Sequence, residues 1–142
     1  MFMPNLKQTT ATIAACAMLA LPALAEEMKF TADLTGAAGV PPTESTATGT
    51  ADVTVDTDAK TVSWVVTVEG LSGDATAAHI HGPATVDESA GPAIDMSAAI
   101  MEGSGDITDD QIAELQDGTY YVNVHTEQYP DGEVRGQLDA AE

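Results

Sequence analysis

Basic residues are nearly absent from this chain: four Lys and Arg stand against 23 Asp and Glu in 142 residues, a formal net charge of −19 at pH 7. Such a surface repels phosphate backbones and anionic headgroups, which excludes nucleic acid as a partner. Cysteine occurs once, at Cys16, so no intrachain disulfide can staple the fold. Aromatic residues make up 4% of the chain, with a single Trp, and one large ring must therefore anchor the core. No apolar run reaches the roughly 20 residues of a membrane-spanning helix. No Gly-rich phosphate loop precedes a helix, and Ser63, Ser72 and Ser97 lack a nucleophile-elbow context.

The longest apolar stretch, from Ala11 to Leu24, follows Lys7 and ends in the small-x-small sequence Ala23-Leu24-Ala25. This pattern predicts a secretory signal peptide over residues 1–25, cut before Glu26. Ile13-Ala14-Ala15-Cys16 resembles a lipoprotein box, but too few apolar residues precede the cysteine. Cleavage after Ala25 removes Cys16 and leaves 117 residues, enough for a single domain over 26–142. Lys29, Lys60 and Arg135 then face all 23 acids, for a net charge of −20. The expected location is periplasmic or secreted. The carboxylates follow no catalytic motif and read as solvating charge, although their field also concentrates metal cations.

What remains alternates with a period of two. Met28 to Leu34 is a candidate strand, with Met28, Phe30, Ala32 and Leu34 on one face. Ala47 to Asp56 and Thr61 to Glu69 flank a polar turn and should pair as an antiparallel hairpin, with Trp64 as the aromatic core anchor. Thr76 to His81 is a fourth strand. Gly82 to Ser104 reads as a long loop with a short strand near Ala93 to Asp95, and Met96 and Met101 as methionines packed on the sandwich rather than soft ligands. Thr108 and Gln111 form a capping box that opens one helix carrying Ile112 and Leu115, and Gly118 closes it. Thr119 to Thr126 and Glu133 to Leu138 complete the set. Seven or so short strands with one helical insertion indicate an all-β sandwich.

The same alternation sorts the three histidines. His79 and His81 project from one face of their strand, opposite Ile80. Tyr121, Asn123 and His125 share a face opposite the core set Tyr120, Val122 and Val124. All three histidines thus point away from the core, onto a solvent-side face. Alternate strand residues lie roughly 6.5 to 7 Å apart, a spacing from which two imidazoles converge on one ion. A third imidazole would complete a three-nitrogen site with a position left open, suited to copper or zinc and unsuited to calcium. Solvated, idle histidines are the plain alternative. Arg135, the only arginine, alternates with Glu133 and Gln137; it reads as one half of a cross-strand salt bridge, or else as a guanidinium that borders the histidine pocket and attracts a small anion.

Ala78-His79-Ile80-His81-Gly82-Pro83, Gly91-Pro92, Gly103-Ser104-Gly105, the run from Asp117 to Thr126 and the run from Pro130 to Leu138 resemble the CHRD (chordin-type) domain family. That family is named for repeats in chordin, an extracellular animal protein. The resemblance implies a Greek-key β-sandwich of about seven to eight strands, similar to copper-zinc superoxide dismutase, in which a His-x-His and a later strand histidine bind copper. It therefore implies His79, His81 and His125 as metal ligands with copper preferred over zinc, and Arg135, Asn123 and Tyr121 as neighbours that support the site or attract an anion. No histidine remains to bridge two metals and no separate zinc cluster is present, so a bimetallic dismutase is excluded.

Three functions follow as expectations. The first is an exported copper-binding protein for sequestration or delivery. The second is a non-enzymatic extracellular interaction or matrix module with no bound metal. The third is a copper-only enzyme of superoxide dismutase type.

Overall fold

The computed structural model describes residues 26–142; the expected signal peptide, with Cys16, lies outside the described residues. Nine strands and one helix follow in order: β1 (Glu27–Thr35), β2 (Thr48–Asp56), β3 (Thr61–Glu69), β4 (Ala75–His81), β5 (Pro92–Asp95), β6 (Glu102–Asp106), α1 (Asp109–Gln116), β7 (Tyr121–Thr126), β8 (Val134–Gln137) and the short β9 (Asp139–Ala140). Among the described residues every strand pairing is antiparallel, in the order β5-β4-β7-β8-β1-β2-β3-β6. β1, β2 and β3 form a meander, whereas the chain crosses from β3 to β4 and from β6 to β7 without pairing those neighbours. This is the Greek-key β-sandwich expected of an all-β chain, with a seam between β5 and β6 that no ladder closes.

Alternation decides which side chains fill the space between the two halves. From β1, β2 and β3 come Phe30, Ala32, Leu34, Ala51, Val53, Val55, Val62, Trp64 and Val66; from β4, β5, β7 and β8 come Ala78, Ile80, Ile94, Val122, Val124 and Val134, all in one buried cluster. Trp64 is the anchor, and its indole N–H donates to Ala99 O at 2.8 Å, so burial leaves no orphan donor. The helix begins as its capping box dictates: Gln111 N donates to Thr108 Oγ1 and Thr108 N to Gln111 Oε1. Ile112 and Leu115 are its buried face, and Gly118, at φ +74°, ends it.

Two expectations change. The long loop ends earlier than read, because residues 102–106 form β6 and pair with β3 from Thr61 to Val65. Gly103 and Gly105 disguised this strand. Trp64 requires the first of them: a Cβ at Gly103 would lie 2.8 Å from the indole Cζ2. The last strand is also shorter than Glu133–Leu138, since Leu138 turns its side chain into the core and β9 then pairs with β1.

Candidate metal centre

β4 and β7 are adjacent and in register, with His79 opposite Asn123 and His81 opposite Tyr121. Ala78, Ile80, Val122 and Val124 are fully buried inward, so His79, His81 and His125 must point outward. His125 pairs with Ala77 rather than with a histidine. It therefore meets His79 diagonally across the ladder, a geometry that brings large side chains together. His79 Nδ1 and His125 Nε2 are 3.1 Å apart, and one nitrogen from each of the three rings lies within 4.8 Å of the others. The three sequence-predicted ligands therefore come together.

The face they occupy is not open to solvent as alternation suggested. Every residue of β7 is buried on both sides, because three loops roof the outer face. Ser89 Oγ donates to Val40 O at 3.1 Å and joins the loop after β4 to the loop after β1. The turn after β7 supplies the third part of the roof, with Pro130 O 2.9 Å from His125 Nδ1. His81 is 8% and His125 9% exposed, while the His79 side chain keeps 23% of its surface and marks the opening.

Hydrogen bonds set the tautomers. A carbonyl only accepts, so the contacts of His81 Nδ1 to Ala90 O (2.9 Å) and of His125 Nδ1 to Pro130 O place the proton on Nδ1 in both rings. Both Nε2 atoms then carry lone pairs, that of His125 facing His79 Nδ1. His81 Nε2 is buried with no hydrogen-bond partner among the described residues, a costly state for a nitrogen unless a ligand or a water fills it. His79 Nε2 lies 3.6 Å from Asp95 Oδ1 across the β4–β5 ladder. With His125 Nε2 an acceptor, the 3.1 Å contact makes His79 Nδ1 its donor in the metal-free protein; loss of that proton, with Nε2–H turned to the Asp95 side, would present Nδ1 to an ion. Burial first, then the neighbouring His125, pulls the His79 pKa below its ordinary value, against the pull of Asp95. Burial likewise lowers His81, outweighing its hydrogen bond to Ala90. Neutral imidazoles are the state that binds a metal.

Of the residues expected beside the site, Tyr121 stacks on His81 with ring centroids 5.0 Å apart and planes within 2°. Its hydroxyl donates to Ala90 O, the same carbonyl that holds His81. Asn123 donates to Asp131 O in the roof. Arg135 makes no cross-strand salt bridge among the described residues, contrary to the first reading. Its guanidinium lies 3.6 Å from the Tyr121 ring centroid, and Nη2 donates to Thr85 O at 3.0 Å. β7 lies between β4 and β8, so Tyr121 separates Arg135 from His81. Met96 is buried in the core, and Met101, expected to pack on the sandwich, is 42% exposed.

Two functional residues escaped the sequence reading. Asp95 had its strand but no assigned role, and only the register identifies its partner. Glu133 looked like one of many solvating acids, yet it is 1% exposed. Ser45 Oγ and Ser72 N donate to its Oε1, and Ser72 Oγ and Thr126 Oγ1 to its Oε2, at 2.6 to 2.9 Å. It ties the roof to β7 one residue beyond His125.

Comparison with known proteins adds one match: a family model described as CHRD domain covers residues 30–138. No curated protein and no solved structure matches the chain.

Proposed function

Because the chain belongs to the CHRD domain family, with an extracellular module as the family's namesake, we propose that it is an exported protein that holds one copper ion through His79, His81 and His125, for sequestration or delivery. The observation that carries this reading is the buried, unpartnered His81 Nε2. It converges with two other imidazole nitrogens, His125 Nε2, whose tautomer the Pro130 carbonyl sets, and His79 Nδ1. An all-nitrogen set with a vacant coordination position suits copper and zinc, and the order of divalent affinities favours copper. The ion would supply one-electron chemistry when bound. The chain's own residues orient the rings, favour the neutral form of His79 and His81 and leave access on the His79 side. Residues 1–25 serve as the export signal in this reading, and the surplus of carboxylates concentrates cations around the opening.

Calorimetric titration of the protein without a histidine tag, with Cu(II), Cu(I) and Zn(II), tests the proposal. One equivalent of copper should bind tighter than micromolar, and His81→Ala or His125→Ala should abolish that phase. Binding that ignores both substitutions would leave the interaction-module reading in its place.

A further inference from the structure

Arg135 is the only arginine in the chain, and it is 3% exposed. A buried guanidinium normally sits against a carboxylate, because the cost of desolvating the charge is otherwise uncompensated. Here 23 acids are available, yet no ion pair among the described residues involves Arg135. Glu133, two positions earlier, is already held by Ser45, Ser72 and Thr126. The protein supplies Arg135 with one carbonyl, Thr85 O, and the face of Tyr121. A guanidinium offers five N–H donors in a planar fork, so most of its donor capacity is unspent.

Those donors border a cavity of about 680 Å³ under the roof, which Arg135 lines together with Val40, Pro41 and Tyr129. That volume falls within the range of small-molecule sites, about 300 to 1,000 Å³. The cavity combines one permanent cation, Arg135, with apolar Val40, Pro41 and Pro42 and with neutral polar groups such as Asn123. Glu44 and Asp131 also line it, and with the strongly negative overall charge they oppose a multiply charged anion. A single planar carboxylate matches the guanidinium fork in shape and charge.

We propose that this cavity binds a small organic monocarboxylate, with its carboxylate on the Arg135 guanidinium and its carbon skeleton against Val40, Pro41 and Tyr129. His81 also lines the cavity, so the carboxylate site abuts the histidine trio, but it is built on Arg135 and does not require a bound metal.

The test uses ¹⁵N-labelled protein stripped on a chelating resin, titrated with butyrate, with butyramide and with phosphate. With one arginine in the chain, the Nε–H resonance of Arg135 identifies itself. Butyrate should move that resonance and the Asn123 and Tyr121 amides saturably, and the neutral butyramide should not. Arg135→Lys, which keeps the charge but loses the fork, should weaken butyrate by about tenfold or more. Three results would each overturn the proposal: no saturable shift with butyrate, equal response to butyramide, or tighter binding of phosphate. The wild-type arms stand even where the variant folds poorly, and all are read without metal, so failure of the copper reading leaves this result intact.

Discussion

Glu133→Gln is the sharpest probe of how the roof over the histidines is held. The substitution keeps the shape and removes the charge. Four donors converge on the carboxylate: Ser45 Oγ, Ser72 N, Ser72 Oγ and Thr126 Oγ1. A glutamine would place its NH₂ where Oε2 stands, since both partners there are hydroxyls that can turn and accept, whereas Ser72 N at Oε1 cannot. The fold therefore survives, but charge-assisted bonds of about 1.5–3 kcal/mol become neutral ones of about 0.5–1.5. A net loss of about 1–3 kcal/mol lowers Tm by roughly 4–12 °C in a domain of this size. The pH dependence is a second signature. Burial pushes the Glu133 pKa up, but the hydrogen bonds from Thr126, Ser72 and Ser45 outweigh it and hold the group below its ordinary value. The folded carboxylate thus binds protons less readily than the unfolded one. Its contribution is present above the unfolded pKa and is lost as pH falls through the folded pKa. Thermal melts of wild type and Glu133→Gln across the acid range check both points. An unchanged Tm at neutral pH, or parallel acid profiles, would refute the assignment of Glu133 as the clasp.

Other expectations are simpler to state. His81→Leu removes the orphaned Nε2 and leaves Ala90 O bonded to Tyr121, so in metal-free thermal melts its stability should stay within about 1 kcal/mol of wild type, while copper binding disappears in calorimetry. Lowered pKa values at His79 and His81 mean that fewer protons compete for those two nitrogens near the ordinary imidazole value. Copper affinity, measured by competition titration, should therefore fall less steeply through that value than it does for a flexible three-histidine peptide; an equal fall would contradict the burial of the pair. Gly103→Ala drives a methyl against the Trp64 ring and the Ala99 backbone, and denaturant melts should show a cost of about 1–3 kcal/mol.

Much of the fold could be read because one physical signal repeats through it. Val62, Trp64 and Val66 alternate with exposed partners, and the same rule places Val122 and Val124 inward and His125 outward. The capping box at Thr108 was equally local. The misreadings share a different cause. β6 contains Gly-Ser-Gly, which looks like a turn until Trp64 is set against it. The outer face of β7 looked solvated because alternation describes one sheet and says nothing of loops that fold back to cover it. Arg135 was expected to find a carboxylate across the sheet, and Glu133 to be one of many solvating acids. In the fold each turns to something nonlocal, Arg135 to an aromatic face and a cavity, Glu133 to hydroxyls from two distant loops. The trio itself was legible as two residues on one strand and one on another; its closure depends on the diagonal register of His125 against Ala77, which no spacing encodes.

The central claim is that the three imidazoles act together on one ion, and long-range ¹H–¹⁵N spectra of the histidine rings during metal titration test it directly. Zn(II) or Cu(I), both diamagnetic, should move one ring nitrogen in each histidine together and be complete at one equivalent. The affected atoms should be Nδ1 of His79 and Nε2 of His81 and His125. A response from fewer than three rings, or metal taken up with all three spectra unchanged, would contradict the account and return the histidines to the role of solvated side chains beneath a loop.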